Sequence, residues 1–149
     1  MIDGVKIIPK RQIIDERGKV MHMLRYDDAH FTKFGEIYFS YSKPNAIKAW
    51  NLNKSMTKNY ICVSGKIKLV LFDDRLESMT KGKFQEIILS TENYSLVTIP
   101  PGIWNGFKSI ENNFSIIANC SDIPHDPNEV VKKPYDDPFF KYNWDDKIT

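Results

Sequence analysis

Hydrophobic and polar residues alternate along most of this chain with a period of two, the spacing of a half-buried strand. The pattern predicts strands over Lys19–Leu24, Glu36–Tyr41, Ala46–Leu52, Tyr60–Val63, Lys66–Phe72, Phe84–Leu89, Ser95–Ile99 and Phe114–Ala118. Turn formers punctuate them: Gly18, Pro44-Asn45, Ser64-Gly65, Asp73-Asp74, Gly82, Pro100-Pro101-Gly102 and Asn112-Asn113. About eight short strands at intervals of roughly 8–12 residues imply an all-β sandwich or barrel. The Ser64-Gly65 step reads as a tight hairpin. Asp27–Lys33 is expected to hold a short helix or a turn, and no longer helix is expected. Lys6–Ile14 contains a further strand.

From Pro124 onward the pattern changes. This stretch carries prolines at 124, 127, 134 and 138, several acids, and the aromatics Tyr135, Phe139, Phe140, Tyr142 and Trp144. Proline withdraws a donor from a β-ladder, so the segment is expected to be irregular. Its aromatic rings would be costly to leave in water, so it is also expected to dock on the barrel. No repeat or linker interrupts residues 1–149, which are read as one domain.

Composition narrows the function. Hydrophobic residues make up 42% and charged residues 27%, a globular balance. The formal net charge is only +2, which gives no reason to expect nucleic-acid binding. No apolar run reaches the roughly 20 residues of a membrane span, and no membrane partner is expected. The first residues lack the apolar core of a signal peptide, and Cys62 and Cys120 sit far apart in apolar runs. Both cysteines read as free thiols in a reducing cytoplasm. The histidines His22, His30 and His125 show no ligand spacing, so neither a metal nor another cofactor is expected.

Two segments resemble the paired signatures of the cupin superfamily, a small double-stranded β-helix (jelly-roll) barrel. The first is Ala49-Trp50-Asn51-Leu52-Asn53 followed by Gly65, where cupins carry a His-x-His pair at the positions of Asn51 and Asn53. The second is Pro100-Pro101-Gly102-Ile103-Trp104-Asn105, where cupins carry histidine at the position of Asn105. Residues two apart on a strand share a face, so Asn51 and Asn53 are expected to project together.

A closer resemblance is to the dTDP-4-dehydrorhamnose 3,5-epimerase family. It rests on Asp73-Asp74-Arg75, Ser78, Thr80, Gly82, Leu89-Ser90, Asn93, Ile99-Pro100, Gly102 and Gly106-Phe107. It is extended by Asp15-Glu16-Arg17-Gly18 near the start and by Asp137-Pro138 with Trp144 near the end. The resemblance implies a nucleotide-linked 4-keto sugar in the barrel, a histidine base oriented by an aspartate, and a tyrosine acid. Here the base position is Asn51, the second histidine position is Asn105, and the tyrosine position is Ala118. Asparagine keeps hydrogen bonding and loses titration.

What the resemblance carries over is Asp137 at the orienting position, Lys58 as an active-site lysine, and Arg17 as an anion contact. Lys48 stands where the family has an arginine. His22, on a strand the family turns toward a neighbouring subunit's site, is a candidate relocated base. Asn51, Asn53, Asn105 and Tyr135 complete a candidate binding set. Trp50 and Trp104 either stack on a ligand ring or pack the core. The resemblance also implies a homodimer built through the N-terminal strands. The expected function is an epimerase or keto-isomerase acting on an NDP-4-keto-6-deoxy sugar with an altered proton-transfer set. The alternative is a catalytically inactive sugar-nucleotide-binding cupin, a sensor or accessory protein.

Overall fold

The computed structural model describes residues 1–146. Twelve strands form: β1 (Lys6–Pro9), β2 (Gln12–Asp15), β3 (Gly18–Met21), β4 (Glu36–Ser42), β5 (Ile47–Asn53), β6 (Lys58–Ser64), β7 (Lys66–Asp73), β8 (Phe84–Ser90), β9 (Ser95–Ile99), β10 (Ile103–Ser109), β11 (Ser115–Ser121) and β12 (Val130–Lys132). They pair antiparallel into two five-stranded sheets, ordered β1-β9-β6-β11-β4 and β12-β5-β10-β7-β8, with β2-β3 as a separate hairpin. This is a jelly-roll barrel of the cupin type, as the resemblance of the two motifs implied; the alternation by itself predicted an all-β sandwich or barrel. Asp27–Lys33 forms turns, and the described residues contain no helix.

Alternation sorts the side chains into three apolar layers. Between the sheets lie Ile67, Leu69, Leu71, Leu89, Val97, Ile99, Ile103, Phe107 and Ile117. On the outer face of the second sheet, Trp50, Val70, Phe72 and Trp104 pack against Phe140 and Trp144 of the C-terminal segment. On the outer face of the first sheet, Ile61, Leu96 and Ala118 are covered in part by Met21, Met23 and Leu24. With both outer faces covered, β6, β7 and β9 are buried along nearly their whole length, polar positions included.

Three expectations are corrected. The Ser64-Gly65 step is not a hairpin: β6 pairs with β11 and β9, whereas β7 pairs with β10 and β8. Gly65 turns the chain from one sheet to the other at φ +75°, and a Cβ there would lie 2.5 Å from Ser115 Oγ. The segment after Pro124 is not wholly irregular, because Val130–Lys132 adds a short strand on the edge of β5. An edge is where a proline-flanked strand is tolerated. Finally, β10 begins directly after Pro100-Pro101-Gly102, a segment the sequence marked only as a motif.

Candidate active site

The site follows from the registers of β5 and β10. Trp104 pairs with Leu52 and Asn105 with Asn51, so Trp50, Leu52 and Trp104 face outward while Asn51 and Asn105 face between the sheets. Trp50 and Trp104 are thereby committed to packing under the C-terminal segment. Two adjoining lobes of about 120 and 140 Å³ open at this end of the barrel. Tyr38, Asn51 and Tyr60 line both. Lys48, Asn105 and Asn119 complete the first lobe, and Asn53, Lys58, His125 and Lys132 the second.

Hydrogen bonds fix most of these groups. Asn105 Nδ2 donates to the carbonyls of Asn51 and Ile103 at 3.0 Å, leaving its Oδ1 to accept from Lys58 Nζ at 3.0 Å. Asn53 Nδ2 donates to Glu129 Oε1, and the other Glu129 oxygen accepts from the Ser55 and Met56 amides at 2.8 and 3.3 Å. Asn53 Oδ1 is buried and has no hydrogen-bond partner among the described residues, in a residue that lines the second lobe. Lys48 Nζ donates to Ser40 Oγ and the Tyr41 carbonyl at 2.8 and 2.6 Å, bridging β5 to β4 at the rim. Asn119 Nδ2 donates to the Tyr38 hydroxyl at 3.1 Å, and Tyr38 and Tyr60 line both lobes together.

The electrostatics are one-sided. Lys48, Lys58 and Lys132 line the cavity, together with His125, and none of the lining residues is acidic. Burial lowers the Lys58 pKa to about 8, a shift that nearby Tyr38 and Glu129 oppose. Burial also pushes Tyr60 up to about 12, and raises Tyr38. Such a cavity concentrates anions and offers neutral amide donors and acceptors to a polar ring.

The structure therefore gathers Lys48, Asn51, Asn53, Lys58 and Asn105 and leaves the other candidates elsewhere in the subunit. Arg17 sits on the β2–β3 turn, where Asp15 Oδ2 accepts from its Nη2 at 2.7 Å. His22 lies in an outer cleft with Lys10, Arg25, Asp28 and His30, its backbone N–H donating to the Arg11 carbonyl at 3.0 Å. Asp137 caps a turn: its Oδ1 accepts from the Phe139 amide at 2.9 Å, and its Oδ2 is 3.7 Å from Lys133 Nζ. Tyr135 is half exposed, and its carbonyl accepts from the Trp50 and Trp144 indoles at 3.3 and 3.1 Å. Ala118 points to the outer face with Ile61 and Leu96; from the same strand, Ile117 and Asn119 face the cavity.

Sequence reasoning missed Tyr38, Tyr60, His125, Glu129 and Lys132. Only the even spacing of Lys58 and Tyr60 on one strand signalled any of them. Among the described residues, no three His, Cys, Asp or Glu side chains are grouped to hold a metal ion.

The family model for dTDP-4-dehydrorhamnose 3,5-epimerase matches residues 1–149, the whole chain. The chain belongs to the dTDP-4-dehydrorhamnose 3,5-epimerase family. It is a nucleotide-sugar-modifying protein of that family's epimerase type. It is 29% identical over 146 residues to the spore coat polysaccharide biosynthesis protein SpsL of Bacillus subtilis, covering 97% of each chain. A dTDP sugar isomerase from Desulfovibrio desulfuricans G20 has the same fold at TM-score 0.94 and 40% identity, over 96% of this chain and 92% of that one. The epimerase RmlC of Legionella pneumophila, solved with dTDP-4-keto-L-rhamnose, aligns at TM-score 0.84 and 26% identity, over 97% and 80% of the two chains. No helix of the described residues is long and apolar enough to cross a membrane.

Proposed function

We propose that this protein is an epimerase or keto-isomerase acting on an NDP-4-keto-6-deoxy sugar, with dTDP as the first nucleotide to test. One observation carries the reading: the cavity is lined by lysines and by no carboxylate, which suits it to receive a diphosphate-linked sugar. The Legionella relative with dTDP-4-keto-L-rhamnose supports the substrate class. An inactive binding protein shares this cavity but has no use for a buried lysine with a lowered pKa beside two phenols. The test is calorimetric titration with dTDP, then incubation with a dTDP-linked 4-keto-6-deoxyhexose in deuterated water. Deuterium entering the sugar at C3 or C5 supports the enzyme. Binding without exchange selects the inactive protein.

A homodimer belongs to the same reading. β4 ends the first sheet, and its outward Ile37, Phe39 and Tyr41 are 48%, 65% and 55% exposed. The β2–β3 hairpin presents Ile13, Ile14 and Val20 to solvent beside Arg17. A second copy of this chain would cover both surfaces, and the hairpin is the element able to carry Arg17 and His22 toward a partner's cavity. Two free cysteines and the absence of a long apolar helix among the described residues suit a cytoplasmic site of action.

A further inference from the structure

Deprotonating a carbon alpha to a ketone needs a base, and none of the residues lining the cavity is a carboxylate. The candidates are Lys48, Lys58, Lys132 and His125. Lys48 is spent bridging to Ser40 and Tyr41, and Lys132 and His125 stand exposed at the rim. Lys58 differs in every respect. It is 5% exposed, its ammonium donates to the neutral Asn105 Oδ1, and no salt bridge holds it among the described residues. Glu129, the acid nearest in effect, is already engaged by Asn53, Ser55 and Met56. A buried lysine held by an amide rather than a carboxylate loses its proton readily.

The groups facing Lys58 can be named element by element. β4 supplies Tyr38, its own strand Tyr60, β10 Asn105, and the approach to β12 Glu129; His125 and Lys132 line the same lobe. The Tyr60 ring centroid lies 5.5 Å from Lys58 Nζ. Tyr38 is therefore a phenol on the strand opposite Asn119, lining the same lobe as Lys58 and the second phenol, Tyr60.

Resting on the reading of the protein as an enzyme of 4-keto sugars, we propose that uncharged Lys58 is the general base and that Tyr38 is the acid that returns the proton. The Lys58 nitrogen lone pair forms an N–H bond with the proton alpha to the ketone. The C–H electron pair becomes the C=C bond of an enolate, and the carbonyl electrons move onto oxygen. The Tyr38 O–H bond then breaks as a new C–H bond forms on the other face, leaving a phenolate. The Lys58 ammonium returns its proton to that phenolate, directly or through Tyr60, and both groups are reset with no co-reactant. The ammonium made in the first step stabilises the phenolate needed in the second, because its charge favours ionised Tyr38. Asn51, whose side-chain amide makes no hydrogen bond among the described residues, lines both lobes and is free to donate to the enolate oxygen.

The experiment uses the whole chain, the same dTDP-linked 4-keto-6-deoxyhexose, and deuterated water. A lysine base makes wild-type exchange rise as pH passes through about 8. A lysine needed as a cation makes it fall over the same range, which overturns the proposal without any variant. Lys58→Arg keeps the charge and cannot act as a base, so exchange is expected to drop at least about 100-fold while dTDP affinity stays within about threefold. Exchange above about a tenth of wild type in Lys58→Arg overturns it. So does exchange that survives in Lys58→Arg and is lost in His125→Ala. Tyr38→Phe is expected to keep exchange at the abstracted position yet invert the carbon at least about 100-fold more slowly. Unchanged inversion in that variant overturns the assignment of Tyr38. A wild type that binds dTDP and exchanges nothing overturns the enzyme reading itself, and this proposal with it.

Discussion

Phe140 tests whether the C-terminal segment is part of the fold or an accessory laid over it. The residue belongs to no strand, yet it is 2% exposed and meets four other rings. It stacks on Trp50 with centroids 4.3 Å apart and meets Trp104, Phe72 and Phe139 edge-on at 5.3, 5.7 and 5.0 Å. Phe140→Ala removes a buried ring and leaves a cavity, a change that costs about 3–5 kcal/mol in a rigid core. An irregular segment can settle inward, so the lower end, about 3 kcal/mol, is expected. For a domain of this size each kcal/mol is worth about 2–4 °C, so the melting temperature should fall by about 6–12 °C. The assay is urea unfolding at a fixed protein concentration, followed by tryptophan fluorescence and by far-UV circular dichroism. All three tryptophans lie in this cluster, so fluorescence reports on it and dichroism on the sheets. Coincident transitions are expected in wild type. A loss below about 1 kcal/mol, or fluorescence that changes well before dichroism, would refute the view that segment and barrel form one cooperative unit.

Three further outcomes are expected. Asp73 is buried; burial raises its pKa, but hydrogen bonds from Arg75, Ser78 and Thr80 more than offset this and hold it well below the ordinary carboxylate value. Its stabilisation is thus complete above the unfolded pKa of about 4 and is lost as pH falls toward the folded one. Asp73→Asn should therefore cost about 2–3 kcal/mol at pH 7 and progressively less in acid, read from denaturant midpoints. Burial pushes the Cys62 thiol up to about 11 and raises Cys120 as well, so neither should react with Ellman's reagent at pH 8 until the protein is unfolded. If the outer face of β4 is a dimer seam, Phe39→Glu should convert the sedimenting species from dimer to monomer, and an unchanged sedimentation coefficient removes that seam.

The strands were legible where burial alternates or is continuous, because both patterns leave a mark in any short window. Lys66–Phe72 and Ser95–Ile99 were placed almost to the residue. β10 escaped because Gly106 interrupts it, and the reason for that glycine is remote: a Cβ there would lie 2.2 Å from the Cβ of Ala49. Ser64-Gly65 misled because a two-residue turn looks the same whether it joins neighbours or opposite sheets, and the difference lies in the partners of β6 and β7. At the site, Asn51, Asn53 and Asn105 were legible through motif and alternation. His125 and Lys132 were not, since only the return of the chain along β5 brings them to the cavity. Asp137 shows the opposite case, a residue whose motif position is plain and whose hydrogen bonds in the subunit are those of a turn cap.

The aromatic layer on the second sheet also has a consequence for how the chain is made. Trp50, Phe72 and Trp104 leave the ribosome long before Phe140 and Trp144, the rings that cover them. The closing contacts join residues 50 and 140, so they are non-local and are paid for late in folding. Until Phe140 and Trp144 are free of the exit tunnel, a nascent chain carries an uncovered indole and phenyl surface of the kind that chaperones bind. Emergence of Phe140 and Trp144 is therefore the event that closes this aromatic layer.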